Sequence, residues 1–252
     1  IVTGALGAIV LLAAFADWNA LKGPISRMAS AATGREIVIR GDLDVDPWSF
    51  TPEARVSGLQ IGNPARYRDR GVFADVAEAE VAVRLLPLFI GRFDIVQLDL
   101  NGADINLYRS AEGDANWAAA PGAERGRNFN LPAIREFALR GSRDDLRDDK
   151  RRVTLDATFT TRESANRRNP GRFELSGDGR INNRPFEITL SGAPLLNVRR
   201  DRPYAFQADV RAAGTHIEAN GAINRPFNFN AWHADVVASG PDLAQLYYLI
   251  GL

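Results

Sequence analysis

The sequence predicts a mainly β protein preceded by one helical segment and closed by another, and three observations carry that reading. From Ile37 onward, apolar residues recur at every second position in one short segment after another. The 22 glycines and 13 prolines are spread through the 252 residues instead of being gathered into one linker, as suits many strands and turns. Ahead of Ile37 the apolar period is helical, and the residues from Ile1 to Ala16 carry no charge.

The uncharged run closes at Asp17-Trp18. As a helix it would measure about 24 Å at ~1.5 Å per residue, short of a hydrocarbon layer of ~30 Å but easily completed from upstream. The chain starts at Ile1 without a methionine, so an upstream piece is expected. Trp18 occupies the position of an interfacial aromatic, which makes residues 1–18 a transmembrane anchor with Trp18 at the membrane interface. Ala14-Phe15-Ala16 also has the A-x-A form of a signal-peptidase site, so a cleaved signal peptide is the alternative. Both readings export the remainder. The absence of cysteine excludes a disulfide framework and fits an oxidising compartment.

Trp18, Leu21, Ile25, Met28, Ala29 and Ala32 then follow helical spacing, giving an amphipathic helix over residues 19–34, bent or restarted at Pro24 and stopped at Gly34. Residues 35–252 form the β domain. Ile37, Ile39, Gly41, Leu43 and Val45 alternate with charged residues as a first strand. The pattern returns in Val81-Val83-Leu85, Val96-Leu98-Leu100 and Ala103-Ile105-Leu107, and a parity change at Asn101-Gly102 predicts a bulge or turn. Leu85 to Phe93, with Pro87 and Gly91, reads as a corner between strands. Arg140 to Arg152 is so polar that it reads as a solvated hairpin tip or loop, and Arg162 to Arg172 as a second.

Between and beyond these loops the alternation gives strands around Val153–Phe159, Phe173–Ile181, Phe186–Leu190, Tyr204–Val210, Thr215–Ile223 and Phe227–Ala231. Pro241-Asp242 opens a short terminal helix. Gly179 to Phe186 is echoed by Gly221 to Phe227, each a strand, an Asn-containing turn and a Pro at the next strand's start. Repeated hairpins of this kind lengthen a sheet in one direction.

Catalytic, metal and cofactor chemistry finds no support. His216 and His233 are the only histidines and stand alone on predicted strands, with no close carboxylate to complete a ligand set. Asp144, Asp145, Asp148 and Asp149 lack the EF-hand glycine and terminal glutamate and are read as solvated. No Gly-x-Ser-x-Gly elbow or phosphate-cradling loop is present. Lys+Arg and Asp+Glu balance at 31 each, which argues against a nucleic-acid partner. Trp18, Trp48, Trp117 and Trp232 could stack sugars in an exported carbohydrate-active enzyme, but scattered tryptophans fit core or interface positions as well.

The apolar segment runs into Asp17-Trp18-Asn19 and Leu21-Lys22, Thr33-Gly34-Arg35 stands before the strand Ile37 to Leu43, and Leu59-Gln60-Ile61-Gly62-Asn63-Pro64 follows. Leu86-Pro87-Leu88 with Gly91, Ile105-Asn106-Leu107, Gly113-Asp114-Ala115-Asn116-Trp117 and Ser239-Gly240-Pro241-Asp242-Leu243 come next. This order of features resembles the N-terminal part of the AsmA family of Gram-negative envelope proteins. The resemblance implies a single-pass inner-membrane anchor and a periplasmic body made of a long, curved, antiparallel-rich sheet, of which this chain is expected to be a part. It further implies a concave apolar groove and a role in phospholipid movement and outer-membrane biogenesis, with no catalytic residues to carry over.

Phe173, Leu175, Phe186, Ile188, Leu190, Tyr204, Phe206, Phe227 and Phe229 supply one apolar face on successive strands. By periodicity these side chains suit an ordinary packed core; by the resemblance they line a groove for phospholipid. A second function, an anchored assembly or regulatory factor contacting outer-membrane proteins through strand edges, stays open beside it.

Overall fold

Strands that alternate apolar and polar residues need only one sheltered face, and this chain meets that need with a single sheet. The computed structural model describes residues 17–49, 51–84, 94–118, 133–164, 168, 171–194, 203–212, 214–225 and 230–241. A 3-10 turn, Trp18–Leu21, leads into helix α1, Lys22–Thr33. Twelve strands follow: β1 (Ile37–Ile39), β2 (Leu43–Asp46), β3 (Glu53–Gly62), β4 (Val72–Val83), β5 (Asp94–Arg109), β6 (Ala133–Asp148), β7 (Val153–Ser164), β8 (Gly171–Ile181), β9 (Arg184–Gly192), β10 (Tyr204–Ala212), β11 (Thr215–Arg225) and β12 (Asn230–Ser239). They lie side by side in chain order from β3 to β12, with β1 and β2 both paired to β3. Every pairing is antiparallel except β5 with β6. The sheet does not close, and each strand's main contacts are with its ladder neighbours.

The mainly β, antiparallel-rich fold agrees with the sequence reading, and several boundaries differ. The expected first strand breaks in two around Gly41, with one more residue between its pairings to β3 than β3 itself has there; a Cβ on Gly41 would lie 2.4 Å from the Ser57 hydroxyl, next to Gly58 (φ 62°). Gly102 (φ 62°), where the parity change falls, and Gly141 (φ 60°) also take the left-handed conformation; β4 and β5 keep their register across Gly102, whereas the β6–β7 register shifts beside Gly141. Helix α1 restarts at Lys22, leaving Pro24 inside its first turn, and Gly34 ends it in the left-handed conformation (φ 67°). Between β8 and β9 the turn residues Asn182 and Asn183 have φ of 49° and 65°, the geometry of a type I′ hairpin.

The polar stretch Arg140 to Arg152 is not a loop. It belongs to β6 as far as Asp148, and only Asp149 to Arg152 turn. Asp144 and Asp148 are correspondingly buried, at 8% and 5% exposure, rather than solvated. Arg162–Ser164 and Gly171–Arg172 likewise belong to β7 and β8 rather than to the second polar loop expected there. The expected corner Leu85–Phe93, the residues Phe227 and Phe229, the terminal helix after Pro241 and the uncharged run Ile1–Ala16 lie outside the described residues. Among the described residues no helix is long and apolar enough to cross a membrane.

One end of the N-terminal half is tied by polar contacts centred on Asn116, which is 1% exposed. Its amide donates to Asn63 Oδ1 (2.9 Å) and the Asn106 carbonyl (2.8 Å), and its Oδ1 accepts the Tyr108 N–H (3.0 Å). The Arg35 guanidinium donates to the Asn116 carbonyl at 2.7 Å, which joins the segment after α1 to the segment after β5. Arg109 and Asp148 form a buried ion pair (3.4 Å) between β5 and β6. The Asp114–Trp117 segment thus fastens strand ends together.

Candidate functional site

The strand register decides which side chains share a face. From β7 to β12 the rows read Phe159, Leu175, Leu190, Ala208, Ala219, Val236, then Ala157, Gly177, Ile188, Val210, Ile217, Ala238. The rows on either side are Thr161, Phe173, Gly192, Phe206, Gly221, Ala234 and Leu155, Gly179, Phe186, Ala212, Thr215. Of these, only two threonines are polar. Through Leu146, Leu107, Ile105 and Ala74 the same face continues to Ile61 and Ile37 at the first edge. Phe173, Leu175, Phe186, Ile188, Leu190, Tyr204 and Phe206 therefore stand together on one face; Phe227 and Phe229 are outside the described residues.

Along β8 and β9 the apolar-face residues are buried or half-buried while nearly all their neighbours are exposed. With no second layer over β7 to β12 among the described residues, this asymmetry comes from curvature: side chains crowd on the inner side of a curled sheet and splay on the outer. Glycines permit the curl. A Cβ on Gly177 would meet the Asp156 carbonyl at 2.3 Å, and one on Gly179 the Thr154 carbonyl at 2.1 Å. The Phe173 ring lies over Gly192 in the next strand, tilted against Phe159 (5.7 Å between centroids) and stacked on Tyr204 (6.0 Å). Large side chains beside glycines give this face a continuous hydrocarbon lining.

The first strands are filled more tightly. Leu43, Val56, Val76, Ala79, Ala103 and Leu139 form a buried cluster, and Trp18 packs against it. Trp18, expected at a membrane interface, is thus half-buried at the β2 end of the sheet.

Polar groups interrupt the apolar face where β6 meets β7. Ser142, Asp144, Thr161 and Glu163 are all buried there. Thr161 donates its hydroxyl proton to Glu163 at 2.5 Å, and Ser142 donates to the Phe159 carbonyl at 2.7 Å. Burial raises the Asp144 carboxyl to about 6, against a smaller lowering by the Ser142 hydroxyl. Burial, with the Glu163 charge, also raises the Tyr204 phenol, whose hydroxyl donates to the Ala193 carbonyl. Periodicity did not reveal this quartet, because Ser142 and Asp144 lie in Arg140 to Arg152 and Glu163 in Arg162 to Arg172, stretches too charged to show an alternation, and Thr161 stands at the edge of the second.

On the opposite, polar face the expectation that His216 stands alone is corrected. Its Nε2 lies 2.6 Å from Asp209 Oδ2 across the β10–β11 ladder and 4.0 Å from Glu218 on its own strand. The three donor atoms lie within 4.8 Å of one another on the surface, and the imidazole holds the Asp209 carboxyl below its ordinary range. An open depression over β7 to β11 is lined chiefly by polar-face residues such as Asp156, Asp178, Arg180 and Glu187. A twisted sheet is saddle-shaped, so each face is hollow along one diagonal, and this hollow is separate from the apolar one.

The family model for the AsmA family matches residues 2–133. The chain is also similar to the AsmA family protein YhjG of Escherichia coli strain K12, with 25% identity over 282 aligned positions. That alignment covers 97% of this chain and 40% of the relative, so the chain spans well under half the length of the curated protein it matches. No solved structure matches.

Proposed function

The chain belongs to the AsmA family, whose members are envelope-associated, and on that premise we propose that it supports outer-membrane biogenesis by holding or conducting phospholipid along the apolar face of its sheet. In this reading residues 1–18 anchor it in the inner membrane and the sheet stands in the periplasm. Its work is binding and passage, without chemistry on the ligand.

One observation carries the reading: the apolar register runs unbroken from Phe159 to Val236, and no second layer covers it among the described residues. An ordinary core would need such a layer. The five steps from β7 to β12 extend about 24 Å at ~4.8 Å per strand, more than the ~15 Å hydrocarbon depth of one leaflet. An acyl chain fits along these rows. Water opposes its passage by ~0.8 kcal/mol per exposed methylene, so roughly thirty methylenes represent on the order of 20 kcal/mol that a hydrocarbon trough removes.

The test is the phospholipid that accompanies the full-length chain through purification in gentle detergent, quantified by mass spectrometry. Leu175→Asp and Ile188→Asp each place a carboxylate within a row, and each is expected to lower bound phospholipid several-fold while circular dichroism still reports the sheet. A wild-type protein free of lipid, or variants that bind as much as wild type, would overturn the proposal.

A further inference from the structure

Helix α1 is amphipathic in the reverse of the usual sense. An amphipathic helix on a sheet buries its larger apolar side chains and shows its polar ones. Here the side packed on β1 carries Ser26 and Ser30: Ser30 Oγ accepts the Ile37 N–H at 2.8 Å and donates to the Ser26 carbonyl at 2.7 Å. Lys22, on the same side, is half-buried and paired with Asp42 at 3.6 Å. Leu21, Ile25 and Met28, which fall on one stripe, are exposed by 42%, 40% and 62%, and exposed Pro24 and Ala31 lie on the same stripe.

These exposed side chains need an occupant. The chain up to Ala16 is sixteen residues without a charge, and only Asp17 separates it from the helical segment. The 3-10 turn is fixed to the sheet, with Trp18 against the hydrophobic cluster and Asn19 Oδ1 accepting the Leu43 N–H at 3.0 Å. An apolar run that enters a bilayer therefore leaves it at the first edge of the sheet, where the stripe points away from β1. Arg27 is exposed on the flank of the stripe, where its guanidinium can reach lipid phosphates.

We infer that α1 lies in the plane of the membrane surface with Leu21, Ile25 and Met28 sunk into the headgroup–acyl boundary, so that the first edge of the apolar face opens directly against the leaflet. This rests on the anchoring read above and adds an orientation to it. A tether alone would let the body swing; the helix sets the β1 end of the sheet against the lipid.

Because these 252 residues hold no cysteine, an introduced thiol is the single one among them. Met28→Cys, Ile25→Cys and, as a polar-face control, Thr189→Cys are labelled with nitrobenzoxadiazole. The full-length protein is then reconstituted into phosphatidylethanolamine–phosphatidylglycerol vesicles containing doxyl-labelled lipid. The label at positions 25 and 28 is expected to emit to the blue of the control and to lose most of its intensity to the quencher, and the control to lose little. Flotation of the same samples reads the anchor independently. Protein that floats with its position-28 label in water, or with that label shielded from water yet untouched by the lipid quencher, overturns the inference and leaves the anchor standing. Protein that does not float overturns both.

Discussion

Asp144 stands on the apolar face of β6, opposite Ile105 in β5 and Ala157 in β7, and burial raises its carboxyl to about 6 from 3.8. The native state therefore binds this proton more tightly than the unfolded chain does. Its contribution favours folding at acid pH and is lost as pH rises from about 4 to about 6, leaving a cost of about 3 kcal/mol at neutrality, at ~1.36 kcal/mol per unit. Asp144→Asn should raise the unfolding free energy at neutral pH by about 1–3 kcal/mol and flatten its dependence between pH 4 and 6. Urea melts across that range check it; a variant less stable than wild type at neutral pH would contradict it. No reading of Arg140 to Arg152 could place this residue. In a string of charges, which members turn inward is set by the strands on either side, and the partners in β5 lie some forty residues away. Phe173, Leu175, Phe186, Ile188 and Leu190 were legible for the opposite reason, since apolar alternation states its own facing.

At the scale of elements, the hairpin between β8 and β9 shows turn chemistry that the sequence declares. Asn182 and Asn183 both take positive φ, a conformation that costs most L-residues about 1–2 kcal/mol and asparagine less. Asn183→Gly is expected to leave stability unchanged or raise it slightly, and Asn183→Val to lower it by about 1–2 kcal/mol. Thermal unfolding of the two variants compares them, and equal stability would contradict the assignment of the turn. The left-handed glycines are only partly legible: Gly102 shows as a parity change, whereas the break at Gly41 and the turn of the chain at Gly58 show only when two strands are set side by side. The parallel pairing of β5 with β6 leaves no local mark. Strand direction follows from the course of the segment between, and periodicity is the same for either direction.

At the scale of the whole molecule, the described strands form a single ribbon, apolar on one side apart from the polar quartet at β6 and β7, and charged on the other. The pattern supplies nine residues of one apolar face and the resemblance their reading as a groove, and the register sets seven of them on one face; what periodicity could not supply is whether that face is covered, since a packed core and an open trough have the same alternation. Consecutive positions of β9 separate the two most directly. Phe186, Ile188 and Leu190 face the apolar side, and Glu187, Thr189 and Ser191 the polar side. A photo-crosslinking amino acid placed at each of these six positions in the full-length protein in cells, followed by mass spectrometry of the adducts, should give phospholipid adducts at 186, 188 and 190 and none at 187, 189 and 191. Adducts to protein alone at 186, 188 and 190, or lipid adducts without that two-residue period, would contradict a lipid-bearing face.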